Sequence, residues 1–113
     1  MQRMVDPETQ CAAKAFLERI STRYDVSKVL LFGSRAAGTH RPDRDADLAI
    51  VIRGKHPGRS EIALDMAGIA FEILLDTSTL IEALPLWESE FEDPEQFANP
   101  ALTWAIRQDG IQL

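Results

Sequence analysis

Gly33 and Ser34 stand directly behind one apolar run, and Asp45-Ala46-Asp47 heads a second apolar run a few residues later. A glycine lets backbone N–H groups approach a phosphate closely, and the start of a helix adds unpaired donors and a favourable dipole. The Ser34 hydroxyl is a further donor to a phosphate oxygen, and Arg35 and Arg41 are nearby cations that could neutralise its charge. Residues two apart on a strand point to the same face, so Asp45 and Asp47 would present two carboxylates side by side while Ala46 turns away. Hard oxygen ligands suit Mg2+, and two such ions about 3.5–4 Å apart activate an attacking hydroxyl and stabilise the leaving oxygen of an in-line displacement. Either half alone is ordinary, because most Gly-Ser pairs after a strand are simply turns and most isolated Asp-x-Asp pairs are solvated strand edges. In this order they point to nucleotidyl transfer from a nucleoside triphosphate.

A third carboxylate is expected on a later strand. Residues 69–75 form an apolar run that reads as a buried strand, and its one interior acid is Glu72. Burying a lone carboxylate is costly unless a cation or hydrogen bonds compensate, and a metal would supply that reason. Asp76 would share a face with Glu72, but four strand residues separate the two by roughly 13 Å, so both cannot serve one metal pair.

These residues need elements to hold them. Asp6-Pro7-Glu8-Thr9 reads as an N-cap with proline at the first helical position, opening a helix over residues 7–23 with Ala13, Phe16, Leu17 and Ile20 on one face. Strands are expected over 28–32 and 46–52, joined through a short helix at 34–37, with a Gly/Pro loop after Arg53. A short helix over 60–67 ended by Gly68 would lead to the strand at 69–75, and Thr77 or Ser78 would cap a helix through Ala83 that Pro85 interrupts. Asn99-Pro100 opens a last helix that Gly110 stops, and residues 111–113 add an edge strand or cover the core. The sum is an α/β fold: a small mixed β-sheet with packed helices.

At 113 residues there is room for one core, so residues 1–113 are expected to form one domain. No apolar run approaches the roughly 20 residues that cross a bilayer, and the N-terminal residues lack the apolar core of a signal peptide, which suggests a cytoplasmic protein. Cys11, the only cysteine, cannot form an internal disulfide and reads as a small core or boundary residue on its helix. A net charge of −6, from 12 basic against 18 acidic residues, argues against a nucleic acid held by its backbone. Arg35, Arg41, Arg44, Arg53, Lys55 and Arg59 gather in sequence around the proposed site, whereas Glu82, Glu88, Glu90, Glu92, Asp93 and Glu95 crowd one segment. That segment is either a solvated face or a surface for a basic partner. His40 and His56 read as loop residues, and Trp87 and Trp104 as core or interface anchors.

At Gly33-Ser34, Asp45-x-Asp47 and the later acid, the chain resembles the minimal nucleotidyltransferases, the MNT branch of the DNA polymerase β-like superfamily. That family carries a Gly-Ser turn, a short linker, an Asp-x-Asp pair and a third carboxylate on a later strand. Two departures bear on triphosphate binding: Ala36-Ala37-Gly38 where the family often has Ala-Arg-Gly, and Arg44 where it often has Ser. The resemblance implies a polymerase β-like nucleotidyltransferase fold. It implies Asp45, Asp47 and Glu72 as catalytic metal ligands for two Mg2+ ions, and Gly33, Ser34 and Arg35 as the nucleotide site for ATP. It also implies a partner. Larger relatives bind the acceptor with additional domains, and in the MNT family that role commonly falls to a HEPN toxin, whose tyrosine receives AMP while the MNT protein serves as antitoxin in a hetero-oligomer. Two other readings stand beside it: a non-catalytic antitoxin that neutralises its partner by covering it, and nucleotide transfer to a small molecule.

Overall fold

The computed structural model describes residues 5–39, 45–54 and 58–113. Arg41, Arg44, His40, Lys55 and His56, which entered the sequence reading, lie outside them. The first helix, α1 (Pro7–Ile20), opens as its cap predicts: an Asp6 carboxylate oxygen accepts from the Thr9 N–H at 3.1 Å, and Pro7 takes the first turn. Strand β1 (Val26–Phe32) runs straight into the short helix α2 (Gly33–Ala37), and β2 (Ala46–Ile52) returns antiparallel to β1, with Phe32 opposite Asp47.

The next segment departs from expectation. Residues 59–77 form one continuous helix, α3 (Arg59–Thr77), which passes through Gly68 and takes in the whole run expected as a strand. Its buried residues, Ile62, Met66, Ile69, Ala70 and Ile73, recur at helical spacing. The third strand is instead β3 (Ile81–Trp87), expected as part of a helix, and it pairs parallel with β2. Parallel neighbours need a crossover connection, usually a helix, and α3 supplies it. Pro85 is accommodated because β3 is an edge strand with one neighbour, where a missing N–H costs no ladder bond. Helices α4 (Glu88–Glu92) and α5 (Pro100–Asp109) follow, separated by a 3-10 turn at Pro94–Gln96, and β4 (Ile111–Gln112) adds an antiparallel edge to β1.

The sheet order is β3-β2-β1-β4, a mixed sheet with helices on both faces. Alternate strand residues divide the core in two. Leu31, Leu48, Ile50 and Ile52 pack with Phe16 and Ile20 of α1 and with Met66 and Ile73 of α3. Leu30, Ala49, Val51 and Leu86 pack with Ile106 of α5. Cys11 is exposed on α1 rather than at the core boundary. No helix among the described residues is long and apolar enough to cross a membrane.

Candidate active site

Asp45 and Asp47 lie on the α5 side of the sheet, since they alternate in step with Ala49 and Val51 of the second core. Asp47 stands between two neighbours in register: Phe32 of β1 on one side and Glu82 of β3 on the other. Side chains paired across a ladder share a face, so Glu82 is the acid the topology places beside Asp47.

Gly33 closes this arrangement. Its φ of +72° is a left-handed conformation that side chains disfavour, and a Cβ built on it would overlap the Asp47 carboxylate oxygen. The turn after β1 is thus pressed against the Asp47 carboxylate, with only backbone between them. Burial comes first, then the charges of Glu82 and Asp45 and a hydrogen bond with Glu82, and together they push the Asp47 carboxyl up to about 6. The site concentrates negative charge where water is partly excluded.

Two hollows adjoin these residues. One of about 650 Å3 is bounded by Phe32, Gly33 and the α2 residues Ala36 and Ala37 on one wall, and by Leu102, Ala105 and Ile106 of α5 on the other. A second of about 310 Å3 lies between α3 and β3, with Asp45 and Glu82 at its polar end and Ala63, Ala67 and Ala70 along its wall.

Two of the sequence-predicted residues are placed elsewhere. Glu72 sits on the outer side of α3, where it and Asp76 are both salt-bridged to Arg19 of α1, at 3.3 and 2.7 Å. The apolar residues around it are helical, and its neighbour Phe71 is 56% exposed, so no buried carboxylate calls for a metal there. Arg35 points away from the turn. Its side chain is buried and donates to the Thr9 hydroxyl at 2.8 Å, 3.9 Å from the Asp6 carboxylate, tying α2 to the cap of α1. Ser34 is half-buried in the first turn of α2. Nor do the other described arginines gather at the acids. Arg53 pairs with Asp25 past the far end of β2, and Arg59 binds Glu90 and the Pro85 carbonyl while stacking on Trp87 and Phe97. Glu90 is buried in that clasp, so the acidic segment is in part structural.

Glu82 is the residue that sequence reasoning missed, and its signal was present. Residues 81–87 are a short run, apolar on both faces except at Glu82, that Ser78 and Thr79 precede, and Pro85 is compatible with such a run when it forms an edge strand.

Among the described residues no group of three acids, histidines or cysteines is already arranged as a metal cage. Mg2+ does not ask for one: it is commonly held by one or two carboxylates together with substrate phosphates and water. The donor chemistry fits, because a carboxyl held up to about 6 by burial and neighbouring acids marks charge that a cation would relieve.

Comparison with known proteins bears on the family and the fold. A family model described as a nucleotidyltransferase domain matches residues 13–97. A crystal structure of a candidate nucleotidyltransferase from Sulfolobus solfataricus shares the fold, with a TM-score of 0.54 and 18% identity over 93% of this chain and 82% of that one. No curated protein is matched.

Proposed function

The chain belongs to the nucleotidyltransferase domain family, and from that premise we propose that it moves AMP from ATP to a hydroxyl of a partner protein, a tyrosine of a HEPN-type toxin, and so acts as that toxin's antitoxin. One observation carries the transfer chemistry: a glycine with positive φ brings bare backbone against Asp47, with Glu82 in register beside it. In the reaction, the partner's hydroxyl oxygen bonds to the α-phosphorus, the bond from that phosphorus to the α,β-bridging oxygen breaks, and pyrophosphate leaves. Asp45, Asp47 and Glu82 would hold Mg2+, which when bound supplies charge neutralisation to the triphosphate. Glu82 takes the place that the resemblance gave to Glu72.

The protein's own groups do the positioning. Gly33 offers an approach that no side chain obstructs, and Ser34 adds a hydroxyl donor at the first turn of α2. The hollow beside Gly33, walled by apolar residues of α2 and α5, takes the nucleoside end of the donor. The hydroxyl proton passes to an ionised carboxylate of the acid cluster, in which Asp47 is the one set against the bare backbone of Gly33.

The test is to incubate the protein, and separately its Asp47→Asn variant, with Mg2+, α-labelled ATP and host-cell lysate, and to separate the products on a denaturing gel. A labelled protein band that needs Asp47 is the expected result. No band, with a toxin partner still bound and restrained by both proteins, would replace transfer by simple covering of the partner.

A further inference from the structure

We propose that the outer face of α3 is a docking site for an amphipathic helix of a partner protein, one whose apolar seam is edged by lysine or arginine. Leu64, Phe71 and Leu75 are 75%, 56% and 70% exposed. They are not scattered: together with Gly68 they fall at i, i+4, i+7 and i+11, the spacing of a single helical seam about 16 Å long. The opposite face of the same helix already serves the core through Ile62, Met66, Ile69 and Ile73. A side chain at Gly68 would meet nothing within 4 Å, so the middle of the seam is an open notch into which a partner side chain can sink.

The edges of the seam state what kind of partner fits. On the α1 side run Glu61, Asp65, Glu72 and Asp76, and across the helix pair Arg23 is salt-bridged to Asp65 and Arg19 to Glu72 and Asp76. Four acids against two arginines leave that edge negative, in a chain whose net charge is −6. On the β3 side the surface passes over Ala63 and Ala67 into the hollow that ends at Asp45 and Glu82. The α1 edge is therefore acidic along its length, and the β3 edge is apolar until the acids at the end of the hollow. A second copy of the chain laid antiparallel along the seam would bring acids against acids, a parallel copy would leave each acidic edge against alanines with no basic partner, and an anionic membrane surface would be repelled. A straight apolar seam with an acidic border on one side and acids at the end of the hollow on the other is the complement of a helix with basic borders. A protein docked there would also lie beside the hollow leading to Asp45 and Glu82, which would bring an acceptor to the acids; that last step rests on the proposed transfer, whereas the docking does not.

The experiment uses the full chain and two labelled designed helices of about three heptads with a leucine seam, one edged by lysine and one by glutamate. Fluorescence anisotropy should show the lysine-edged helix binding at least about tenfold more tightly than the glutamate-edged one. Phe71→Ser and Leu75→Ser should each weaken binding about tenfold or more while leaving the melting temperature unchanged, and Trp104→Ser, on the other exposed aromatic, should change it less than about twofold. Asp47→Asn should bind as the parent does; docking by a parent that labels no protein would count against transfer alone, and labelling by a parent that binds neither helix would count against this inference alone. Equal affinity for the two helices, indifference to Phe71→Ser, a dimer in sedimentation velocity that Phe71→Ser dissociates, or seam-dependent flotation with phosphatidylcholine vesicles would each overturn it.

Discussion

Replacing Gly33 with alanine separates two costs that the structure superimposes at one residue. The first is conformational: at φ +72° an L side chain pays about 1–2 kcal/mol. The second is steric, because the new methyl would overlap the Asp47 carboxylate oxygen, and Asp47 is held from behind by its place in β2 between β1 and β3. Forcing that side chain off its rotamer or moving the turn costs about 1–3 kcal/mol more. Gly38 provides the control, since it has nearly the same φ, +74°, and nothing within 4 Å of its added methyl. Gly38→Ala should thus lose about 1–2 kcal/mol and Gly33→Ala about 2–5 kcal/mol, read from midpoints of urea unfolding at constant slope. The double variant Gly33→Ala with Asp47→Ala should recover most of the difference, with a coupling energy of about 1–3 kcal/mol. Gly33→Ala and Gly38→Ala equal within about 0.5 kcal/mol, or no coupling to Asp47, would refute the claim that the turn and the carboxylate are pressed together.

Other variants test the rest of the site. Asp47 carries a sign that can be checked: its folded-state carboxyl lies near 6, above the ordinary 3.8, so folding favours the protonated form and its contribution is complete below pH 3.8 and lost as pH rises through 6. Asp47→Asn should therefore stabilise the metal-free protein at pH 8, by about 1 kcal/mol after allowance for its partial exposure, and give no gain near pH 3.5, as thermal melts at both pH values would show. Mg2+ should raise the melting temperature of the parent at pH 8 and have a smaller effect on Asp47→Asn and Glu82→Gln. In labelling assays Glu82→Gln should lose about 100-fold or more of the activity and Glu72→Gln less than about threefold; the reverse ranking would return the third carboxylate to α3. Arg35→Met should cost about 2 kcal/mol of stability, because it removes a buried charge-assisted hydrogen bond to the Thr9 hydroxyl and the ion pair with Asp6, and ATP affinity should change little in calorimetric titration of the still-folded protein.

How far the fold could be read from sequence depended on the contrast between an element's two faces. Strand β2 was legible to the residue over 46–52, because two acids at one end and the turn signals around it bound a continuous apolar run. The cap of α1 was equally plain, since Asp6-Pro7 supplies an acceptor and a fixed φ before an amphipathic run. Strand β3 was obscured by Pro85, which the reading took as a helix breaker when it also marks an edge strand. Its loss carried Glu82 with it. The Asp45 and Asp47 positions follow from alternation alone, but which acid joins them depends on which strand neighbours β2, and that pairing is a long-range fact that local pattern does not contain.

The error at residues 69–75 has a different origin, and it bears on function. A helix with one buried and one polar face declares its period, and α3 does so on its inner side at Ile62, Met66, Ile69 and Ile73. Its outer side carries Leu64, Phe71 and Leu75 where solvent would favour charge, so the stretch is apolar on two faces and mimics a buried strand. Local rules for a folded monomer would replace those three residues with polar ones at no loss to the core, since they are largely exposed. Their presence beside an acidic edge, over the hollow that reaches Asp45 and Glu82, is explained if α3 packs against something outside this chain. What misled the strand assignment is then the same property that makes α3 a docking surface. It yields one more expectation: replacing all three outer residues by glutamate should leave the melting temperature within about 3 °C of the parent while abolishing binding of the lysine-edged helix. A fall of more than about 10 °C would show instead that the seam packs within the chain and is not a surface at all.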